Sequence, residues 1–376
     1  MFGRGLRLFT LIGFEVRIDW SWLFLALLLT WSLGMGVFPA FYPGLAMNTY
    51  WLMGIVGALG LFGSIILHEL GHSLAARRFG IPMRGITLFI FGGVAEMGSP
   101  PPSAKSEFFM AIAGPIVSLL LGLAFWAVHS FSVAVGWPIA VRGVLAYLGW
   151  INLVLLVFNM IPAFPLDGGR VLRSALWAWK KNLRWATRVA SAIGSGFGFF
   201  LIALGVFRFI LGDFIGGIWY VFLGWFLSQA ARASYARVVV REALSGEPIA
   251  RFMNDSPVTV APDLSVQDLV DTYFYKHPYK LYPVVDQGAL LGCVSIDDVK
   301  RIPRHEWPVH SARELAVPCN SRNTIPPDTE AMEALTRMNR ENVSRLMVVD
   351  HGRLIGMVAL RDLMNFLSRK LELEPV

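Results

Sequence analysis

Charge is what this sequence has least of. Only 16% of its 376 residues are Asp, Glu, Lys or Arg, against about 25% in an average soluble domain. The shortage is confined to one part of the chain. Residues 1–241 hold 18 Lys and Arg but only 7 Asp and Glu. With about a tenth of its positions charged, that part cannot be a water-soluble globule. Residues 242–376 hold 15 and 19, an ordinary soluble proportion. The formal net charge of +7 is thus +11 on an apolar part and −4 on a soluble one. A nucleic-acid reading of the basic excess is excluded, because the excess lies wholly in the apolar part. Cysteine is nearly absent too. Cys293 and Cys319 both lie in the soluble part without CxxC spacing, which excludes a disulfide scaffold and suits a reducing cytoplasm.

In place of charge there are apolar runs, and a membrane-crossing helix needs about 20 such residues. Six runs qualify, near 20–39, 51–75, 107–128, 142–162, 189–210 and 214–231. The first lacks a small-residue cleavage site and is followed by further spans, so it reads as a span and not as a signal peptide. Threading the chain through six spans puts 16 basic residues, from Arg4 to Arg241, on one side and only Arg142 and Arg208 on the other. That imbalance predicts both termini and the soluble part on the cytoplasmic face.

Two stretches between spans carry patterns of their own. Residues 81–98, rich in β-branched and aromatic side chains around Gly92-Gly93, predict a short strand pair at the membrane surface, with a plain loop as the alternative. Residues 170–188 place Leu172, Leu176, Trp179 and Leu183 at helical spacing among basic residues. They read as an interfacial amphipathic helix or as a basic linker.

The second span contains His68-Glu69-Leu70-Gly71-His72. Four residues apart on a helix, both imidazoles face one side and can reach one metal ion, with Glu69 beside them to take a proton from water. Three ionisable residues in an apolar span are costly unless they face a polar cavity or a ligand. A catalytic zinc commonly takes three protein ligands, and no carboxylate follows in the same helix. Asp167 is the better third ligand. It stands in Asn159-Met-Ile-Pro162-Ala-Phe-Pro165-Leu166-Asp167-Gly168-Gly169, where prolines break the helix and glycines permit tight turns. The plainer alternative is a helix-ending turn at the membrane surface.

These residues resemble the site-2 protease family of intramembrane zinc metalloproteases. The resemblance rests on His68-Glu69-Leu70-Gly71-His72 and on Asn159-x-x-Pro162-x-x-Pro165-Leu166-Asp167-Gly168, with Ala113-Gly114-Pro115 and Phe91-Gly92-Gly93 as further family features. It covers residues 1 to about 235. It implies one zinc held by His68, His72 and Asp167, Glu69 as catalytic acid/base, and Asn159 at the reacting carbonyl. Asn159 alternatively satisfies backbone groups near the Pro162 break. A substrate helix must unwind before attack, and an exposed strand edge near 86–95 would hold it extended.

The soluble part is an internal repeat. Residues 282–299 and 346–363 align without gaps at an offset of 64, with eight identical positions, among them Asp286/Asp350, Gly288/Gly352 and Asp298/Asp362. Each unit reads as strand, helix, strand, tight turn, strand, helix. The pattern resembles a tandem pair of CBS (cystathionine-β-synthase) domains, here 242–304 and 305–376. The resemblance implies adenine-nucleotide binding (ATP, ADP or AMP), with Ser295 near phosphate and Asp298 on the ribose hydroxyls. In the second unit Asp362 remains but Ala359 replaces the hydroxyl, which puts a second nucleotide site in doubt. Alternatively, Asp298 and Asp362 only cap the final helices. His277, His305, His310 and His351 lack metal-like spacing and read as surface residues.

The expected architecture is therefore an α-helical polytopic membrane protein with six spans and a membrane-associated β-hairpin, followed by an α/β tandem CBS module. The expected function is zinc-dependent cleavage of membrane-anchored proteins within or near their spans, tuned by nucleotide. A CBS-regulated transporter and a metal-binding pseudo-protease are the competing classes. A transporter has no need of Glu69 between two ligands. Tandem CBS modules often pair, so a homodimer is a further expected partner.

Overall fold

The computed structural model describes residues 6–90, 92–97, 99–320 and 322–373. Arg4 and Phe91, used above, lie outside them. The chain divides into two compact units, Met1–Val238 and Val239–Val376.

Among the described residues six helices are long and apolar enough to cross a membrane: α1 (Trp20–Phe41), α2 (Met47–Arg78), α3 (Ala104–Ala134), α4 (Ile139–Asn159), α6 (Leu183–Ile210) and α7 (Phe214–Leu244), the last running from the first unit past its boundary at Val238. Between α4 and α6 lies α5 (Asp167–Lys180). Most spans run longer than their apolar cores. At 1.5 Å per residue, the 32 residues of α2 extend about 48 Å, beyond the roughly 30 Å hydrocarbon layer. Large apolar side chains point outward all along these helices, with Leu27 and Phe41 about three-quarters exposed. Water would penalise such a surface, whereas lipid does not. Where helices face one another, small residues let backbones touch. A Cβ on Gly198 would stand 2.6 Å from the Gly224 carbonyl, and one on Gly205 2.6 Å from that of Gly217. This is the small-residue packing that membranes favour.

Residues 170–188 do not form one helix. The helix α5 stops at Lys181, which turns left-handed at φ 56°, and Asn182 caps α6 by accepting from Trp185 N–H. Of the apolar positions read as one face, Leu172 and Leu176 are half-buried and Trp179 is exposed. Apart from Gly168 and Gly169, the buried positions of α5 are polar: Asp167, Arg173 and Ser174.

The expected hairpin is present as β3 (Met83–Phe89) and β4 (Gly92–Met97), but it belongs to a four-stranded sheet ordered β1-β2-β3-β4. Strands β1 (Leu6–Leu11) and β2 (Phe14–Ile18) form an N-terminal hairpin, and β2 pairs parallel with β3. The sequence carried the signal in β2. Phe14, Val16 and Ile18 are buried and alternate with Glu15 and Arg17, the period-two pattern of a half-buried strand. With β3 enclosed between β2 and β4, the edge strand of this hairpin is β4 and not the wider 86–95 segment, β1 forming the opposite edge of the sheet.

The second unit is built around a mixed sheet. Strands β5 (Leu281–Asp286) and β6 (Ala289–Ser295) form one hairpin, followed by the short helix α8 (Ile296–Val299). Short strands β7 (Val317–Pro318) and β8 (Thr324–Ile325) follow, then α9 (Ala331–Glu341). Strands β9 (Arg345–Asp350) and β10 (Arg353–Ala359) form the second hairpin, and α10 (Leu360–Leu373) ends the unit. The repeat is visible in backbone angles. Gln287-Gly288 and His351-Gly352 both adopt positive φ in succession, the tight hairpin turn that Asp-x-Gly predicts. Each repeat has its own core, Val284 and Val294 in one and Val348 and Val358 in the other. The two hairpins meet along β6 and β10.

Candidate metal centre

The metal-like site is assembled from three helices. The helix α2 carries His68 and His72 one turn apart, and α5 delivers Asp167 in its first turn. All three are buried. His68 Nε2 lies 3.0 Å from Asp167 Oδ2, His72 Nε2 lies 3.1 Å from the same oxygen, and the two Nε2 atoms are 3.2 Å apart. Tetrahedral zinc with bonds of about 2.0–2.1 Å separates its ligand atoms by about 3.3 Å. The triangle therefore fits one face of such a site.

Its chemistry points the same way. His72 donates its Nδ1–H to the Met110 carbonyl at 2.6 Å. A carbonyl only accepts, so in the neutral imidazole Nε2 carries the lone pair. That lone pair faces a carboxylate oxygen and a second imidazole nitrogen. Such a cluster is suited to hold a cation at its centre. His68 Nδ1 is hydrogen-bonded to Ser118 Oγ at 2.8 Å. The helix α3 thus orients both rings through Ser118 and Met110, the outer-shell support typical of ligating histidines.

The Ala113-Gly114-Pro115 motif gains a reason here. A Cβ on Gly114 would lie 2.3 Å from His72 Nε2 and 2.6 Å from His68 Nε2, so only glycine leaves the imidazoles room. Pro115, within α3, removes the N–H that would have bonded the Ala111 carbonyl, one residue after the Met110 carbonyl that holds His72. Gly168 and Gly169 pack against the backbone of residues 160–164 at distances that no Cβ allows. They seat the start of α5 under the turn that follows α4.

Glu69 is half-buried beside the histidines. The edge strand β4 passes over it, for a Cβ on Gly93 would come 2.8 Å from Glu69 Cγ. Asn159 is the last residue of α4 and half-buried. Among the described residues no hydrogen bond joins it to the three ligand atoms.

Three features escaped the sequence reading. Asn152, fully buried, donates through Nδ2 to Ser64 Oγ at 3.0 Å and to the Leu148 carbonyl at 2.8 Å, while its Oδ1 has no partner among the described residues. Ser118 supports His68. Glu107, at the start of α3 and fully buried, forms an ion pair with buried Arg173 of α5. The only sequence signal for this last pair was that Glu107 is one of few acids in an apolar part.

In the second unit, Ser295 and Asp298 form a capping box at the start of α8. Ser295 Oγ accepts from Asp298 N–H at 3.3 Å, and Ser295 N–H donates to Asp298 Oδ2 at 2.9 Å. Asp362 caps α10 in the same way, accepting from Ala359 N–H at 2.9 Å. Both carboxylates thus serve the caps weighed as the alternative to ribose binding. Asp298 differs in also lining a cleft of about 340 Å³ with Arg301, Ile302, His310, Glu314, Leu315 and Val317. His310 is half-buried there, 2.6 Å from Glu314, whose hydrogen bond raises the imidazole pKa above its ordinary value. It is therefore not a simple surface residue. His277, His305 and His351 are exposed.

Comparison with known proteins agrees with this architecture. Residues 56–138 and 136–204 match the model of peptidase family M50, and residues 249–305 and 316–369 match the CBS domain. A relative from Mycobacterium tuberculosis, named zinc metalloprotease Rip3, is 33% identical over 95% of this chain and 91% of its own. One from Synechocystis sp., named zinc metalloprotease sll0528, is 32% identical over 97% and 96%. Among solved structures, the site-2 protease from Methanocaldococcus jannaschii is 28% identical, covering 61% of this chain and 95% of its own with a TM-score of 0.44. With full-length relatives of this kind, the transporter class is set aside. The chain belongs to peptidase family M50, as a multi-pass membrane zinc metalloprotease of the site-2 type that carries a tandem pair of CBS domains.

Proposed function

We propose that this protein hydrolyses peptide bonds within or near the spans of membrane-anchored substrates, using one zinc held by His68, His72 and Asp167. The observation that carries the reading is the convergence of three buried potential ligand atoms, His68 Nε2, His72 Nε2 and Asp167 Oδ2, at the spacing of one tetrahedral face. Zinc bound there would polarise the scissile carbonyl and lower the pKa of a coordinated water. The protein's own groups do the rest. Glu69, free of the ligand triangle yet adjacent to it, accepts a proton from water and returns it to the leaving nitrogen. Asn159 offers a side-chain amide to the developing oxyanion. Ser118 and the Met110 carbonyl keep both imidazoles aimed.

The substrate is held extended along β4 by strand addition. The free edge of this strand and its passage over Glu69 support that path. The basic residues at one set of helix ends support both termini and the CBS module on the cytoplasmic side.

Nucleotide at the CBS module tunes the activity in this reading. The support is the cleft where Asp298 and Arg301 meet beside the His310–Glu314 pair, with a carboxylate suited to ribose hydroxyls and a guanidinium suited to phosphate. Asp362, opposite Ala359, is the weaker position. We divide the module at residues 242–304 and 305–376, and a homodimer formed through it is part of the proposal.

Purified wild type and Glu69→Gln decide the central claim. Zinc should be present in both, and a model transmembrane substrate should be cut by wild type alone. Equal cleavage by the two would end the proposal, and cleavage by neither would favour a pseudo-protease.

A further inference from the structure

The three ligands do not come from one rigid piece. His68 and His72 sit on α2 and are aimed by α3, whereas Asp167 arrives on α5, 95 and 99 residues away in sequence. Something must hold α5 against α3, since a metal site tolerates only about 0.5 Å of misplacement. The polar contacts described between these helices converge on Glu107. Glu107 has no solvent exposure, and its Oε1 accepts two hydrogen bonds from Arg173, from Nε at 2.8 Å and from Nη2. Arg170 Nε lies 3.9 Å from the same oxygen.

The placement of this pair is informative on both sides. Glu107 is three residues before Met110, so it shares a helix face with the carbonyl that orients His72. Arg173 is six residues after Asp167, and its guanidinium lies 4.8 Å over the ring of Phe164, in the turn that leads into Asp167. A hydrophobic contact would have sufficed to pack α5. A charged pair at a fully buried position carries a desolvation cost that packing alone does not explain. The planar guanidinium sets distance and angle together, as an apolar contact cannot.

We propose that Glu107 and Arg173 form a positioning clamp, which fixes Asp167 relative to the two histidines and so sets metal affinity and site geometry. The inference rests on the metal centre proposed above. It assigns no contact with substrate to either residue.

Cobalt(II) serves as the probe, titrated into metal-stripped full-length protein in detergent. Wild type should give the visible absorption of a tetrahedral site. Glu107→Gln and Arg173→Gln should each weaken cobalt binding about 10–100-fold and alter the band, as outer-shell losses commonly do. Arg173→Lys, which keeps the charge but not the fork, should restore only part of the affinity.

Because a single change leaves one charge buried without its partner, the Glu107→Gln/Arg173→Gln double variant is the decisive one. It should unfold at a temperature near that of wild type and still bind cobalt weakly. A double variant with wild-type affinity and spectrum overturns the clamp.

A second readout needs no metal. Amides of Arg170–Ser174 should exchange faster in the metal-free double variant, and unchanged protection there also overturns the clamp. Failure of wild type itself to take up cobalt would sink the metal-site reading, while the exchange experiment still decides whether the pair holds α5.

Discussion

Gly114 shows how little room the reactive centre leaves. Its missing Cβ is the space in which the imidazole nitrogens of His68 and His72 face Asp167. Gly114→Ala should therefore lower zinc affinity by about 10–100-fold or more, the scale of an outer-shell defect. Alanine otherwise favours a helix over glycine by about 1 kcal/mol, so thermal stability should not fall in parallel. Zinc content after dialysis against a graded chelator series checks this, and wild-type retention would contradict it. In the soluble unit, burial pushes the Cys293 thiol up to about 11, and the residue is only 5% exposed. The thiolate is the reactive species. At neutral pH a maleimide should label the more exposed Cys319 first, and Cys293 only on unfolding. Mass spectrometry of Cys293→Ser and Cys319→Ser proteins reads the order.

At the scale of elements, β4 and α5 carry the consequences. An edge strand in an antiparallel pair directs every second N–H towards its partner and the others outward. Proline substituted singly along Gly93, Val94 and Ala95 should therefore alternate in effect. Where the lost N–H faced β3, the hairpin itself is damaged. Where it faced outward, the fold stays intact and cleavage of a transmembrane substrate falls at least tenfold. Full cleavage at all three positions would remove strand addition from the mechanism. The strand pair β3–β4 was legible from its β-branched run, but the β1–β2 hairpin was not, although Phe14, Val16 and Ile18 alternate clearly. Five residues of period-two pattern beside a long apolar run are easily absorbed into that run. In α5 the spacing of Leu172, Leu176 and Trp179 makes an amphipathic helix legible in the sequence, but not that Arg173 and Ser174 on its other side are buried, Arg173 against Glu107.

For the whole molecule, the two units make separate demands. Nucleotide binding is expected at the cleft of Asp298 and not at Asp362. Asp298→Asn keeps a capping oxygen while removing the charge that ribose hydroxyls would meet, so it should weaken ATP, ADP or AMP binding about tenfold or more with little change in stability. Asp362→Asn should leave binding unchanged. Calorimetric titration of full-length protein distinguishes them, and equal loss in both variants would point to capping alone. Sequence alone carried the number of spans, the His68-x-x-x-His72 pair and the repeat. Each is a local or periodic property: apolar length against bilayer thickness, two histidines one helical turn apart, a hairpin recurring after 64 residues. The broken segment before Asp167 already marked it in the sequence as the better third ligand, and the folded chain brings it within 3.1 Å of both histidines. Only the folded chain decided that α3 aims them and that Glu107 grips Arg173 66 residues away. Those contacts join positions far apart in sequence, and no periodicity encodes them. They are set by where buried polar groups can find partners once the apolar surfaces have packed.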